Sequence, residues 1–305
     1  MSQPLHSRKR LFIAIFFITL FFLFMPVVLL YSVGYRLDKD FSLTSTGGLY
    51  VFYPESDTQV YLDGVLSDQT SLFERGIFID DLEPISYEVE VRKEGYIPWK
   101  KTLVVREKRV TEGYPFLIPE VIGTSSVPRF VKLNTGTSVT NGLYADVVKL
   151  FATSTATSTN SLLLNLGRAS TSSIVALSTA ITKKDIEISV EKRGIVASWK
   201  GSEDSTPFYF CDAERLACGD DFLVVEGAIK YVDFYPGRND VIIYSTKEGI
   251  YATELDKRFP QNTHKLLAGD VDFKEDDQRV FIKDKIGYYE LIFTASSTLI
   301  NAISI

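Results

Sequence analysis

Histidine is nearly missing: the 305 residues contain two, His6 and His264. A Ser-His-Asp hydrolase in the body of the chain would have to use His264, yet no G-x-S-x-G elbow precedes it. Its setting, Gln261-Asn262-Thr263-His264-Lys265, reads as an exposed polar loop entering a strand. Cysteine is as scarce, so zinc and iron sites, which need clustered His, Cys or carboxylates at ligand spacing, have no candidates. Neither G-x-x-x-x-G-K-[ST] nor G-x-G-x-x-G occurs, which removes the usual phosphate cradles. The acidic run Asp272 to Asp277 lacks the D-x-D-x-D-G order that would place oxygens around calcium. No metal or other cofactor is expected.

Positive charge is also in short supply. Lys and Arg number 33 against 39 Asp and Glu, a formal charge of −6. Arg8, Lys9 and Arg10 all precede the first apolar run, and with those three set aside the remainder stands at −9. An acidic body lacks the clustered basic face that a phosphate backbone requires, so nucleic acid is not an expected partner.

Apolar length is what the N-terminal region does have. Residues 11–35 carry no charge, and the run LFIAIFFITLFFLFMPVVLLY is long enough to cross a hydrocarbon layer of roughly 30 Å with some tilt. A cleavable signal peptide would have a shorter apolar region ending in small residues at an A-x-A-like site. Here the exit is Leu29-Leu30-Tyr31-Ser32-Val33-Gly34-Tyr35, so a retained transmembrane helix is expected, with Tyr31 and Tyr35 at the interface. The cationic flank predicts residues 1–10 in the cytoplasm and the bulk outside it. Outside the cytoplasm, Cys211 and Cys218 in FYFCDAERLACGD are most simply a structural disulfide stapling a hairpin.

A linker is expected over 36–46, then strands. Leu49 to Tyr53 is followed by Pro54, and Val60-Tyr61-Leu62 by the tight-turn pair Asp63-Gly64. Tyr87 to Arg92 alternates, placing Tyr87, Val89 and Val91 in a core and Glu88, Glu90 and Arg92 in solvent. Thr102 to Val105 supplies another strand, so 47–119 reads as a small all-β sandwich or barrel.

The order GGLYVFYPE, QVYLDG, YEVEVRKEGYIPW resembles the PEGA domain, a small extracytoplasmic β domain of bacterial and archaeal surface proteins. Asp63-Gly64 and Gly95-Tyr96-Ile97-Pro98-Trp99 match its pattern, whereas Ser56-Asp57-Thr58 replaces the Gly-Ala of the naming motif. The resemblance implies surface attachment or adaptor work without a reaction. Tyr96 and Trp99 become candidate partner contacts, with core packing the alternative for Trp99.

Residues 120–305 are a second region. Twenty-one of the sixty residues 123–182 are Ser or Thr, but Leu143 to Val148, Ser161 to Leu164 and Ile174 to Leu177 are apolar runs of strand length. Strands separated by Ser/Thr-rich turns are expected there. Val232-Asp233-Phe234 recurs thirty-nine residues later as Val271-Asp272-Phe273. Val241 to Tyr244 then corresponds to Val280 to Lys283, and Gly249 to Thr253 to Gly287 to Leu291. Ile186 to Val190 and Gly194 to Trp199 read as an earlier, diverged unit. Three strands at a period near 40 is the arithmetic of a β-propeller blade, and the region resembles periplasmic propellers of the TolB and WD40-like kind, possessing room for about four units.

Carboxylates are the remaining chemistry. Asp80-Asp81, Asp220-Asp221 and Glu275-Asp276-Asp277 lie at predicted turns, where Asp bonds the backbone. The expectation is a mostly β, membrane-anchored envelope protein with a non-catalytic binding or scaffolding role. Its partners would be the lipid bilayer through 11–35 and an envelope protein or cell-surface polysaccharide. The alternative is a carbohydrate-active enzyme using two opposed carboxyls of the propeller-like region.

Overall fold

The computed structural model describes residues 7–37, 43–52, 57–69, 76–132, 138–163, 180–211 and 218–293. The fold is mostly β, with one N-terminal apolar helix. The chain divides into two compact units, Met1–Val91 with Thr102–Pro115, and Arg92–Lys101 with Phe116–Ile305.

The first unit opens with α1 (Ser7–Ser32). Its segment Leu11–Ser32 has a mean hydropathy of 2.9, and none of its most apolar window is buried by protein. A soluble core helix would cover such a surface, so these 22 residues have the length and character of a membrane span. Where a linker was expected, β1 (Tyr35–Leu37) pairs antiparallel with β2 (Leu43–Ser45). Then come β3 (Gly47–Phe52), β4 (Gln59–Leu62), β5 (Val65–Gln69), β6 (Gly76–Leu82), β7 (Ser86–Arg92), β8 (Trp99–Val104), whose residues Trp99 to Lys101 belong to the second unit, and β9 (Val110–Gly113). They form two sheets, ordered β6-β3-β9 and β5-β4-β7-β8. β3 is central and buries Leu49 and Val51, pairing parallel to β9. The Asp63-Gly64 turn joins β4 to β5 with positive φ at both residues, +48° and +79°, as a primed hairpin turn requires. β7 buries Val89 and Val91 as its alternation predicts, but Glu90 is buried too. The opposite face of β7 is therefore covered at that point, contrary to the one-sided pattern expected.

The second unit contains β10 (Gly123–Ser126), β11 (Phe130–Lys132), β12 (Ser138–Thr140), α2 (Gly142–Leu163), β13 (Ile181–Lys183), β14 (Ile186–Glu191), β15 (Gly194–Trp199) and β16 (Asp221–Glu226). It continues with β17 (Tyr231–Phe234), β18 (Val241–Ser245), β19 (Gly249–Glu254), β20 (Thr263–Ala268), β21 (Asp272–Asp276), β22 (Arg279–Lys283) and β23 (Tyr288–Ile292). β13 to β16 make one four-stranded antiparallel meander and β17 to β20 a second. The third sheet is β21-β22-β23, completed by β10 from the far end of the unit.

The recurring Val-Asp-Phe tripeptides fall at β17 and β21, and the runs paired with them at β18/β22 and β19/β23. The earlier unit is closer to the second than its sequence suggests. Gly194 and Gly249 both open a third strand where an added Cβ would lie 1.9 Å from Val225 O and 2.2 Å from Leu267 O. Each is followed by a register shift, at Ile195/Val196 and Ile250/Tyr251. A bulge with a glycine at its entrance is thus repeated. Between the first two sheets Ile186, Ile188, Ile195, Phe210 and Val224 pack with Val232, Phe234, Ile242 and Leu255.

The strand expected at Leu143 to Val148 is instead the start of α2. Asn141 accepts from Leu143 N through Oδ1 (3.1 Å) and from Ala145 N through its own carbonyl (3.2 Å), a helix cap. Leu143, Val147, Leu150 and Phe151 recur at helical spacing and pack with Val127 and Phe281. The expected run at Ser161 to Leu164 is helical as far as Leu163, and the one at Ile174 to Leu177 lies outside the described residues.

Candidate functional site

Of the residues singled out from sequence, Cys211 and Cys218 are joined, with sulfurs 2.02 Å apart, and the two also form an isolated antiparallel bridge. Tyr96 is half-buried, bridges to Pro119, and has Lys93 Nζ 5.0 Å from its ring centre. Trp99 does not face solvent: it is fully buried, and its indole donates to Glu254 Oε2 at 2.9 Å. A buried Trp settles where its N–H finds an acceptor, and here one is available.

That acceptor belongs to a sealed ionic network. Lys101, two residues after Trp99 and on the same face of β8, is fully buried and paired with Glu254 Oε1. It also donates to the Asp256 carbonyl at 2.9 Å, with Asp256 Oδ2 3.7 Å away. Asn262 adds two more donors to the same Glu254 oxygen, its backbone N and its Nδ2, both at 2.7 Å. Arg258 clamps Asp256 through Nε and a terminal guanidinium nitrogen at 3.0 and 2.7 Å. Burial pushes the Glu254 carboxyl above its ordinary range, opposed by Lys101 and the Trp99 hydrogen bond.

A second cluster draws on β13, β17 and β21. Lys183 stands on β13, Tyr231 and Asp233 on β17, Lys274 and Glu275 on β21, and each is half-buried. Tyr231 Oη donates to Asp233 Oδ2 at 2.9 Å, and Lys274 Nζ lies 3.5 Å above the Tyr231 ring centre. Burial raises Asp233, whereas its hydrogen bonds from Tyr231 and the Phe234 N–H, with Lys274 and Lys183, hold it down. Glu275 is raised by burial and then by the charge of Asp233. Burial lowers Lys274 and raises Tyr231. Two carboxyls that hold protons more tightly than usual, two ammonium groups and a phenol make a polar cluster suited to hydroxyl-rich ligands. A carboxyl so perturbed also has the character of a general acid.

Asp233 lies in the recurring Val-Asp-Phe tripeptide, and that repetition at the opening strand of each unit was the available signal. Its counterpart Asp272 instead faces outward, paired with Lys230 at 3.1 Å beside Asp270 at 2.5 Å. Glu275, expected in a turn with Asp276 and Asp277, is the member of that run drawn into the cluster. His264 lies on β20 rather than in a loop, half-buried with its ring 6.2 Å from Phe116. Its Nε2 has no hydrogen-bond partner, and burial lowers its proton affinity. Among the described residues no three His, Cys, Asp or Glu are grouped to hold a metal.

No protein-family model, curated protein or solved structure matches the chain.

Proposed function

We propose that this protein is a single-pass, membrane-anchored extracytoplasmic protein whose β units bind an envelope partner, a protein or a surface polysaccharide, without turning it over. The observation that carries this reading is α1, whose 22-residue apolar segment Leu11–Ser32 has no protein cover over its most apolar window. Three basic residues precede that segment, and the positive-inside rule then assigns the β units to the outer face. The joined cysteines suit an oxidising compartment. The PEGA-like order of residues 47–119 supports an adaptor role, and the three repeated sheets support a propeller-like module presenting the Asp233–Glu275 cluster. The test is retention of envelope fractions by the immobilised full chain in detergent. Specific capture of a polysaccharide or protein, recovered intact, is the expected result. Release of soluble sugar fragments would overturn it.

One observation favours a second reading, a carbohydrate-active enzyme. Asp233 and Glu275 stand in one half-buried cluster, and burial raises the proton affinity of each, as an acid catalyst requires. Fragment release that disappears in both Asp233→Asn and Glu275→Gln chains would establish that alternative.

A further inference from the structure

Lys101 is a long cationic side chain taken wholly out of water, beside a carboxylate that also holds a side-chain amide. Lys101 Nζ and Asn262 Nδ2 share one acceptor, Glu254 Oε1. Asn262 Nδ2 also donates to the carbonyl of Lys100 at 3.0 Å, which holds the amide next to the strand residue preceding Lys101. Trp99 occupies the other Glu254 oxygen and walls the site. A buried amine, a buried acid and a carboxamide bridged by that acid are the three parts of an intramolecular acyl transfer.

We propose that Lys101 and Asn262 become joined by an isopeptide bond, with Glu254 as the proton carrier. Lys101 Nζ touches Glu254 Oε1 directly, so a proton can pass from the ammonium to the carboxylate along that contact and leave an amine lone pair beside a neutral acid. The amine lone pair attacks Asn262 Cγ and forms the Nζ–Cγ bond. Breaking the Cγ–Nδ2 bond then collapses the tetrahedral centre to a secondary amide. Both protons lost by Lys101 end on the departing nitrogen through Glu254, so ammonium plus carboxamide become secondary amide plus an ammonium ion. The balance needs no oxidant and no cofactor. Holding the two reactants on one oxygen supplies the proximity that makes an otherwise sluggish amide exchange effectively unimolecular.

Asp256 is the other acyl candidate, with Oδ2 3.7 Å from Lys101 Nζ. Both its oxygens already serve Arg258, and a carboxylate clamped by a guanidinium is a poor acylating group. The amide is therefore assigned as the acceptor.

Mass spectrometry of the full chain, purified in detergent, reduced and digested, decides the matter. The expected result is a branched peptide joining the Lys101 and Asn262 segments, lighter by about 17 Da than the two together through loss of ammonia. Recovery of the two as separate, unmodified peptides would overturn the proposal. So would a branched peptide ending on Asp256 with a loss of about 18 Da, the mass of water. In the Glu254→Gln chain the branched peptide should fall at least tenfold in yield, provided circular dichroism reports a folded β protein. An undiminished yield would remove Glu254 from the chemistry, and if that variant does not fold, the native digest still answers the question.

Discussion

Lys101 and Glu254 meet where neither reaches water, whereas Asp233, Glu275, Lys183 and Lys274 meet where each is only half covered. Both groupings mix acids and bases within the second unit, and both raise the proton affinity of a carboxyl by burial. The difference lies in saturation. Lys101 and Trp99 cover the two Glu254 oxygens and Asn262 doubles the contact on one of them, so that network holds the fold and admits no ligand without being broken. Asp233 keeps one phenol and its neighbour's backbone N–H as hydrogen-bond donors, and its lysine neighbours act through charge. Saturated charge is structural and part-saturated charge remains available.

The largest effect should come from Lys101→Met, which strands the Glu254 carboxylate in the core. A buried charge left without its partner costs about 3–5 kcal/mol, readable as a denaturant midpoint shift. A shift under about 1 kcal/mol would erase the contrast between the clusters. Adding Glu254→Leu to Lys101→Met should recover the part of that loss that comes from the stranded charge, because an apolar pair of similar volume removes it, while any link through Lys101 is absent from both variants. Failure to recover would show that packing around Trp99, not charge, governs the site.

Smaller still is the effect of pH on the open cluster. The folded-state proton affinity of Asp233 is raised, so the folded chain binds this proton more tightly than the unfolded chain. The stability it contributes is full below the unfolded carboxylate range and fades as pH rises through the folded value. The native chain should accordingly gain on an Asp233→Asn variant as pH falls from neutral, measured as the gap between their unfolding midpoints. A native chain that loses stability relative to the variant on acidification would reverse the assignment. Least of all should follow from Lys230→Ala, since its partners Asp270 and Asp272 are largely exposed. Its midpoint should match the native one within scatter, with any difference abolished by salt.

Much of the second unit was legible because two units of it are written at one period. Val232-Asp233-Phe234 and Val271-Asp272-Phe273 both fall at the start of a three-strand run, and Gly194 and Gly249, each beginning a third strand, mark places where a side chain would strike a carbonyl. What escaped was decided by distant partners. Leu143 to Val148 has the β-branched and aromatic composition of a strand, but Asn141 caps it and Phe281 and Val127 receive its helical face. No local pattern names Phe281 as a neighbour 130 residues away. Lys101 was within reach of sequence reasoning. In Trp99-Lys100-Lys101-Thr102-Leu103 the period of two puts Lys101 on the inward face with Trp99 and Leu103, and an inward lysine demands a buried acid. The acid itself, Glu254, ends an otherwise uncharged strand with nothing nearby to announce it.

The third sheet has a consequence for the order in which the chain is assembled. Its outer strand, Gly123–Ser126, waits for Tyr288–Ile292, so a chain emerging from its N-terminus exposes that strand throughout the synthesis of nearly everything it will pack against. Until Tyr288–Ile292 arrives, an unpaired edge is open to other chains. Premature termination ahead of residue 288 would thus yield a product that sticks to its neighbours while most of its own sheets are already complete.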